Sequence, residues 1–292
     1  MDCAKYFLSE AKPKINAKNL KSIIKQALIE DTGKGDITTE LTLPKNKKIR
    51  AQIIAKENFL LCGIDVAKEI FKTVDPGLSF LQKAQEGNPV HNQQVIAVIS
   101  GKASSILKGE RVALNLLSLL SGVATKTRRF VRAIGALETK ITDTRKTIAG
   151  LRELQKYAVR IGGGYNHRIS LDEMLLVKDN HLKILGGYTK LPDAPSGYKI
   201  ELETQSLQEF RHALSLNPDI IMLDNMKIKD IKKAVKIRND AYPKNKKPLL
   251  EASGDMHLGN IKKYAACGVD IISIGELTDS VKSVDISLEV NG

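Results

Sequence analysis

The stretch YKIELETQSLQEFRHALSLNPDIIMLDN, residues 198–225, contains two strand patterns separated by an amphipathic helical pattern. The strand patterns YKIELE and DIIMLDN are short and apolar at their centres, and SLQEFRHALSL between them is long enough to form a helix. Strands of this kind are typical of a parallel sheet whose faces are covered by helical crossovers. We therefore predict a β/α unit at residues 198–225.

The same pattern recurs on both sides of this stretch. Four further strand patterns are KITDT (140–144), EMLLVKD (173–179), PLLEASG (248–254) and DIISIGE (270–276). No hairpin signal interrupts the series, and neither a G-x-G-x-x-G motif nor a Walker-type loop follows a strand. We predict an α/β protein in which six parallel strands form a barrel or a doubly wound sheet.

The chain has a mixed character before residue 135. Apolar residues at helical spacing predict a helix over 18–31, and IRAQIIAKE (49–57) and QVIAVIS (94–100) predict strands. A long helical pattern then runs from residue 105 to residue 134. We expect an α/β region that precedes the series of parallel strands.

The composition is typical of a soluble globular protein, with 42% apolar and 27% charged residues in a chain of 292. No uncharged apolar window of about 18 residues predicts a membrane span. The N-terminal MDCAKYFLSEAKPK lacks the apolar run of a secretory signal. Because Cys3, Cys62 and Cys267 are odd in number and far apart, they do not indicate a disulfide framework. We expect a cytoplasmic protein that has no membrane partner.

Positive charge is the unusual bulk property, because 46 Lys and Arg residues against 33 Asp and Glu residues give a formal net charge of +13. A basic protein attracts polyanions, which include nucleic acids, acidic membrane surfaces and small anionic substrates. Aromatic residues make up only 4% of the chain and tryptophan is absent, so the chain offers few aromatic side chains on which nucleic-acid bases could stack. We expect a small anionic substrate and no nucleic acid.

Each of the six strand patterns leads into residues that do not belong in an apolar core. In chain order these are Asp143, Arg145 and Lys146, then Lys178 and Asp179, then Glu203, Asp224, Ser253 and Gly254, and finally Gly275. A single charged residue at such a position is commonly the point where a strand reaches water, but six strands in succession are hard to explain in this way. Because the carboxyl ends of barrel strands converge on one face, we expect these residues to surround one pocket.

The expected pocket combines cations with two carboxylates. The cations, which suit a ligand with several negative charges, are Arg145, Lys146, His167, Arg168 and Lys178. Glu203 and Asp224 suit Mg²⁺, which prefers oxygen ligands and commonly bridges to substrate phosphates. The backbone N–H groups of Ser253, Gly254 and Gly275 can face a phosphate. These residues predict a phosphorylated sugar substrate and an acidic co-substrate, whose identity they leave open.

Seven sequence blocks connect the chain with a known family. They are ALIEDTGKGDITTEL, ILKGERVALNLLSLLSGVAT, TDTRKTIAGLRELQKYAVRIGGGYNHRISL, MLLVKDNHL, IIMLDN, LEASGDM and GVDIISIGELTDS, which together span roughly residues 26–288. In this order they resemble the signature blocks of quinolinate phosphoribosyltransferases, also called nicotinate-nucleotide pyrophosphorylases (carboxylating). The DTRKT, GGGYNHR and KDNH motifs are specific in combination.

The resemblance implies a reaction of quinolinate with phosphoribosyl pyrophosphate that gives nicotinate mononucleotide, CO₂ and pyrophosphate. It implies an N-terminal α/β sandwich domain at residues 1–122, completed by residues 277–292, and an incomplete parallel β/α barrel at residues 123–276. It also implies a Mg²⁺ cofactor and a homodimer with a shared active site, into which Arg111 reaches from the neighbouring subunit.

The resemblance also implies roles for single residues. Those expected to hold the dicarboxylate and phosphates are Thr144, Arg145, Lys146, His167, Arg168 and Lys178. Glu203 and Asp224 would serve the metal and the ribose, and together with Lys146 they are the expected catalytic residues. The expected 5′-phosphate end consists of Ser253, Gly254, Asp255, Ile274 and Gly275. We expect positioning, rather than acid–base chemistry by a histidine, to supply most of the rate.

Three departures from the family pattern concern mainly the phosphate end. Ile148 and Ala149 stand where a Thr-Pro pair is usual, and Asp255 stands where a second glycine is usual. Glu276 and Asp279 occupy positions where small and histidine residues are common. A carboxylate at position 255 would repel a bound phosphate unless it points away or contacts magnesium.

Three alternatives compete with this function. A related phosphoribosyltransferase with another ring acceptor would be expected to lose part of the cationic cluster, which is complete here. A barrel aldolase would use Lys178 as a Schiff-base nucleophile, but the adjacent Asp179 would stabilise its ammonium form. A non-enzymatic basic protein that binds polyanions would explain the net charge but not the polar strand ends.

Overall fold

A computed structural model describes residues 14–186, 194–243 and 248–291. The chain divides into two compact units. The barrel unit contains the described parts of Arg129–Thr147 and Gly164–Asp279, and the antiparallel unit contains the described parts of Lys12–Arg128, Ile148–Gly163 and Ser280–Gly292. Cys3 and the N-terminal segment that was expected to lack a signal lie outside the described residues.

The helices and strands of the described residues are numbered in chain order. The helices are α1 (Ala17–Thr32), α2 (Ile37–Thr42), α3 (Ile64–Val74), α4 (Ala103–Ile134), α5 (Arg152–Ile161), α6 (Asp179–Leu185), α7 (Leu207–Ser215), α8 (Ile228–Ala241), α9 (Ile261–Ala265) and α10 (Glu276–Asp279). The strands are β1 (Lys48–Ala55), β2 (Phe59–Leu60), β3 (Ser79–Gln82), β4 (Pro89–Val90), β5 (Val95–Lys102), β6 (Lys140–Thr142), β7 (Leu175–Val177), β8 (Ile200–Thr204), β9 (Ile220–Asp224), β10 (Leu249–Ser253), β11 (Ile271–Ser273) and β12 (Ile286–Asn291).

The barrel unit is built on a sheet of six parallel strands in the order β6-β11-β10-β9-β8-β7. Each of the six predicted strand patterns forms one of these strands, and the four helices α6 to α9 connect successive strands from β7 to β11. Within the described residues, the edge strands β6 and β7 do not pair with each other. The prediction of an incomplete parallel β/α barrel is therefore confirmed.

The barrel interior changes from apolar to polar along the strands. Because side chains alternate between the two faces of a strand, every second residue of β8, β9 and β10 lies on the interior face. Near the start of the strands, a buried apolar cluster consists of Met174, Ile220, Leu249 and Ile271. At the carboxyl ends, the interior faces carry Glu203, Asp224 and Ser253. The apolar cluster closes one end of the barrel, and the polar residues remain at the other end.

The antiparallel unit contains a four-stranded sheet in the order β12-β1-β5-β3 and a two-stranded sheet of β2 and β4. Strand β12 pairs with β1, and Ala55 lies opposite Ile286. The predicted helix over 18–31, the predicted strands at 49–57 and 94–100 and the long helix that ends at residue 134 are confirmed as α1, β1, β5 and α4. The sheet is thus built from both ends of the sequence.

The predicted domain boundary between residues 122 and 123 lies inside the continuous helix α4. Helix α5, which was expected in the barrel domain, belongs to the antiparallel unit. The division of the chain at residue 122 remains a prediction.

None of the helices in the described part of the chain combines the length and the apolar character needed to cross a membrane.

Candidate active site

One pocket lies at the carboxyl ends of the barrel strands and has a volume of about 670 Å³. The expected site residues that line it are Thr144, Arg145, Lys146, His167, Arg168, Lys178, Glu203, Asp224, Ser253, Gly254, Asp255 and Gly275. The pocket thus gathers residues from loops and strands that lie far apart in the sequence. Leu176, Met222, Asn225, Glu251 and Ser273 also line it, and the sequence analysis did not identify them as site residues.

Two expected site residues do not line this pocket. Ile274 is fully buried, and its backbone N–H donates to the carbonyl oxygen of Thr142 at 3.0 Å. The expected contact of Ile274 with a ligand stays a prediction. Arg111 is exposed on α4 in the antiparallel unit. Its expected contribution from a neighbouring subunit stays a prediction.

The buried carboxylate of Asp143 fixes the loop that carries His167 and Arg168. Its Oδ1 accepts a hydrogen bond from the backbone N–H of His167 at 2.9 Å, and its Oδ2 accepts one from the Asn166 side chain at 2.6 Å. Burial of Asp143 makes these bonds necessary, since an unpaired buried carboxylate is costly. Asp143, which directly follows strand β6, thereby fixes the position of the loop that carries His167 and Arg168 to the pocket.

Arg168 is half-buried beside Arg145. Its Nη1 donates to the carbonyl oxygen of Met174 at 2.8 Å. Burial lowers the pKa of Arg168, and the positive charge of Arg145 lowers it further. Two guanidinium groups at one wall favour the binding of negatively charged groups, such as those of a dicarboxylate or phosphate ligand.

Lys146 and Lys178 are exposed and line the same pocket. The backbone N–H of Lys178 donates to Nδ1 of His181 at 3.0 Å, at the start of α6. The backbone N–H of Lys146 donates to the Thr144 hydroxyl at 3.0 Å. These bonds fix the backbone at both lysines. Their exposed side chains can still adjust their conformation to a bound ligand.

The anionic side of the pocket consists of Glu203 and Asp224. Burial raises the pKa of Glu203, and the Asp224 carboxylate raises it further, whereas the backbone N–H of Asp179 donates to Glu203 at 3.4 Å and lowers it. The repulsion between the two carboxylates would be relieved by a cation. Both groups offer oxygen ligands at an open pocket, which fits Mg²⁺, an ion that usually keeps several of its waters.

Asn225 holds the Asp224 carboxylate and was not identified from the sequence. Its side-chain Nδ2 donates to Asp224 Oδ2 at 3.0 Å, and its backbone N–H donates to the carbonyl oxygen of Ser253 at 2.9 Å. Its φ of 53° lies in the left-handed region, which asparagine tolerates better than most residues. The signal that could have indicated it is an asparagine directly after a strand that ends in aspartate.

The phosphate end depends on two glycines. Gly254 has a φ of +126°, and an added Cβ would lie 2.3 Å from Asn225 Oδ1. An added Cβ at Gly275 would lie 2.9 Å from Asp279 Oδ2 and 3.0 Å from the Lys146 side chain. The backbone at both positions can approach a ligand closely only because no side chain is present.

Two further acids lie inside the barrel, on the same strand faces as Glu203 and Ser253 but nearer the strand starts. Glu201 Oε2 lies 3.1 Å and Glu251 Oε2 lies 3.5 Å from Nε2 of His167, and both glutamates are 0% exposed. Burial raises the pKa of Glu201, and the Glu251 carboxylate raises it further. Charged residues at the centres of the predicted strands YKIELE and PLLEASG were a signal that the sequence analysis did not use.

The His167, Glu201 and Glu251 cluster has the spacing of a metal site, the one such group of three or more His, Cys, Asp and Glu side chains among the described residues. The backbone N–H of Arg168, however, donates to Nδ1 of His167 at 2.9 Å, so the ring proton lies on Nε2. A metal would need the lone pair of Nε2. The three side chains are therefore in close polar contact without forming a metal site, and Glu203 and Asp224 are the better magnesium ligands.

The protonation of His167 is set by opposing influences. Burial lowers the pKa of His167, whereas the Glu251 and Glu201 carboxylates raise it, and the net result is a rise. A second ring proton on Nδ1 would face the N–H of Arg168 at 2.9 Å. Because two donors cannot face each other at this distance, Nδ1 stays the acceptor of the Arg168 N–H.

Two family models together match most of the chain. Residues 36–121 match the quinolinate phosphoribosyl transferase N-terminal domain, and residues 123–289 match the C-terminal domain of the same family.

Curated relatives and a solved structure agree with these matches. The chain is 41% identical over 272 residues to a probable nicotinate-nucleotide pyrophosphorylase [carboxylating] of Synechocystis sp., covering 91% of each chain. It is 42% identical over 275 residues to the protein with the same description from Methanocaldococcus jannaschii, covering 92% of this chain and 96% of the relative. The structure of the nicotinate-nucleotide pyrophosphorylase from Francisella tularensis superposes with a TM-score of 0.88 at 36% identity, covering 97% of this chain and 100% of that chain.

Proposed function

Because the chain belongs to the quinolinate phosphoribosyltransferase family, we propose that it is a pentosyltransferase that joins quinolinate to the ribose of phosphoribosyl pyrophosphate. The products are nicotinate mononucleotide, CO₂ and pyrophosphate, in de novo NAD synthesis. The observation that carries the proposal is one pocket in which two arginines and two lysines accompany the carboxylates of Glu203 and Asp224 at the barrel's polar end.

The cationic wall binds quinolinate. Arg145, Arg168 and Lys178 hold its carboxylates with Lys146 beside them, and these cations also contact the phosphates of the co-substrate. His167 lines the same pocket. Partial burial strengthens the attraction between a guanidinium and a carboxylate, because less water screens it. Since one carboxylate leaves as CO₂, the wall has to orient the ring without holding both carboxylates equally tightly.

The carboxylate pair serves the ribose. As the bond to pyrophosphate breaks, positive charge develops on the ribose, and Glu203 and Asp224 stabilise it. When Mg²⁺ is bound by Glu203 and Asp224, it supplies charge neutralisation for the leaving pyrophosphate. Asn225 keeps the Asp224 carboxylate in place through its 3.0 Å hydrogen bond. The pyridine nitrogen then attacks the ribose. The positive ring that forms favours loss of the adjacent carboxylate as CO₂, and a proton from water takes its place on the ring carbon.

The 5′-phosphate binds at the glycine end of the pocket. Ser253, Gly254 and Gly275 offer backbone N–H groups, and Thr144 adds a hydroxyl. Asp255 also lines the pocket, so its carboxylate opposes phosphate binding unless it contacts the metal.

The active protein is a homodimer in the cytoplasm. Arg111 is exposed on α4 and is available to complete the pocket of a neighbouring subunit. Quinolinate and phosphoribosyl pyrophosphate are the partners, without nucleic acid or membrane. Cys62 and Cys267 are free thiols, which suits a reducing compartment.

The test is an assay of the purified protein with Mg²⁺, quinolinate and phosphoribosyl pyrophosphate, following formation of nicotinate mononucleotide and CO₂. We expect turnover with quinolinate and little with nicotinate, which lacks the second carboxylate. Turnover with nicotinate but not with quinolinate would favour a related transferase with another acceptor. No turnover with either, together with steeply salt-dependent binding of duplex DNA, would favour the non-enzymatic alternative.

The aldolase alternative has a separate test. Lys178 is exposed, so it lacks the desolvation that activates a Schiff-base lysine. Borohydride reduction in the presence of a carbonyl substrate is expected to leave Lys178 unmodified, and a trapped adduct would contradict the proposed function.

A further inference from the structure

His167 is held by protein groups at both ring nitrogens. Nδ1 accepts the N–H of Arg168 at 2.9 Å, and Nε2 lies 3.1 Å from Glu201 and 3.5 Å from Glu251. Although His167 lines the pocket, neither nitrogen has an orientation that would let it bind a ligand while these contacts persist. His167 therefore influences the site by positioning the groups that it contacts.

The two glutamates are otherwise difficult to explain. Both are completely buried in a barrel whose lower layer is apolar, and a buried carboxylate is destabilising unless it has partners. Glu201 lies two residues before Glu203 on β8, and Glu251 lies two residues before Ser253 on β10, so both point to the same side as these pocket residues. They lie deeper in the barrel than Glu203 and Ser253, although Glu251 also lines the pocket, and Nε2 of His167 lies within 3.5 Å of both.

The chain of contacts ends at Arg168. With the ring proton directed to the glutamates, Nδ1 is left as an acceptor for the Arg168 backbone. Asp143 fixes the backbone N–H of His167, and Met174 fixes the Arg168 guanidinium through its carbonyl oxygen. If the His167 imidazole rotated, the backbone N–H of Arg168 would lose its hydrogen bond to Nδ1. The Arg168 guanidinium would then be positioned less firmly.

We propose that Glu201 and Glu251 are positioning residues that orient His167, and through it Arg168, for binding the acidic substrate. This inference rests on the proposed function of the pocket, since it takes Arg168 as a quinolinate contact. This role needs no contact between the glutamates and the substrate, although Glu251 also lines the pocket. The two glutamates act through the close approach of their Oε2 atoms to Nε2 of His167, at 3.1 and 3.5 Å.

The test compares paired substitutions at each glutamate. Glu201→Gln and Glu251→Gln keep an oxygen that can accept the Nε2 proton, whereas Glu201→Leu and Glu251→Leu do not. We expect each Leu variant to raise the KM for quinolinate roughly tenfold or more, because a misplaced binding group loses most of its orienting effect. The KM for phosphoribosyl pyrophosphate is expected to change less than about twofold, and the Gln variants are expected to recover most of the loss.

A matched control separates positioning from general damage to the barrel. Thr204 is fully buried on β8 and donates to the carbonyl oxygen of Met222 at 2.9 Å, so Thr204→Val disturbs the same strand without touching His167. We expect this variant to unfold at a lower urea concentration than the wild type. Its ratio of the KM for quinolinate to the KM for phosphoribosyl pyrophosphate should equal that of the wild type. If the Leu variants raised both KM values equally, as a structural defect would, or if Gln and Leu variants were equivalent, the proposal would be wrong.

A second measurement does not depend on activity. In protein labelled with ¹⁵N-histidine, the His167 signals, assigned by their loss in His167→Gln, are expected to show a proton on Nε2 and none on Nδ1 at neutral pH. A proton on Nδ1, or an Nε2 without a proton, would overturn the proposal whatever the enzyme assay gives. A wild-type protein that shows the expected ring signals but does not turn over quinolinate would instead refute the proposed function.

Discussion

At the scale of single residues, Gly254 shows how closely the pocket wall is packed. We predict that Gly254→Ala destabilises the fold by about 1–3 kcal/mol, because alanine is strained at a positive φ. The added Cβ would also displace Asn225, since the two would be 2.3 Å apart. The KM for phosphoribosyl pyrophosphate should rise roughly tenfold as Asp224 loses its hydrogen-bond donor. Urea unfolding and steady-state kinetics measure the two effects.

The control for Gly254 is Gly259→Ala. Gly259 does not have a positive φ, and its added Cβ would meet only the exposed His257 ring, at 3.1 Å. An equal loss in both variants would contradict the role given to Gly254.

Asp255 gives a prediction of the opposite sign. Asp255→Asn is expected to lower the KM for phosphoribosyl pyrophosphate a few-fold, because it removes a negative charge from the pocket wall that receives phosphates. The gain should shrink at high ionic strength. Asp240→Asn, at an exposed position of α8, is the control for net charge. A KM that rises with Asp255→Asn would indicate that this carboxylate contacts the metal.

Most of the residues that the sequence did identify follow an apolar strand, whereas His167 and Arg168 belong to the GGGYNHR motif. Twelve of the expected site residues line the pocket, because the carboxyl ends of parallel strands converge in any barrel. Ile274 is fully buried, which follows from its apolar side chain next to a buried strand, and its contact with a ligand stays a prediction. Glu201 and Glu251 were missed because they lie within the strands, where only the pairing of distant strands reveals their shared partner.

At the scale of elements, the buried ion pair of Arg238 and Asp270 connects helix α8 to the loop before β11. Arg238 is 1% exposed, and its Nη1 donates to Asp270 Oδ2 at 2.8 Å and to the Pro248 carbonyl at 2.9 Å. We predict that Arg238→Met lowers the free energy of unfolding by about 3–5 kcal/mol, because it leaves the Asp270 carboxylate buried without a counter-charge. Chemical denaturation measures this loss.

Lys233→Met on the same helix is the matched control. Lys233 lies 3.7 Å from Asp230, and its side chain is 63% exposed. Its removal is expected to change the free energy of unfolding by less than about 0.5 kcal/mol. If the two variants lost the same amount, burial would not be what makes the Arg238 pair important.

Long periodic patterns predicted the elements better than short ones did. The six barrel strands and the helix ending at residue 134 were predicted because their apolar runs continue over several residues. Strands β2, β3 and β4 and helix α2 were not predicted, whereas β6, β7 and β11, which are equally short, were predicted because their patterns recur in regular alternation with helical ones. Strand β12 was not predicted as a strand, although the family resemblance implied that residues 277–292 complete the N-terminal domain.

At the scale of the whole molecule, the proposed shared site predicts complementation between inactive variants. Arg111→Ala and Lys178→Ala homodimers should each lose most of their activity. After the two are mixed and their subunits exchanged, roughly half of the dimers are hybrids with one intact site, so about a quarter of the wild-type activity should return. Size-exclusion chromatography verifies that the variants remain dimers. If Arg111 served the pocket of its own chain, both sites of the hybrid would be defective and no activity would return.

The pairing of β12 with β1 has a consequence for biosynthesis. As the nascent chain leaves the ribosome, β1 emerges early, whereas its partner emerges only after the barrel strands have been made. Until then one edge of β1 exposes backbone groups that are open to other extended chains. Translation that stalls inside the barrel would therefore release a polypeptide whose early domain is also unfinished, and chaperones would have to shield that edge.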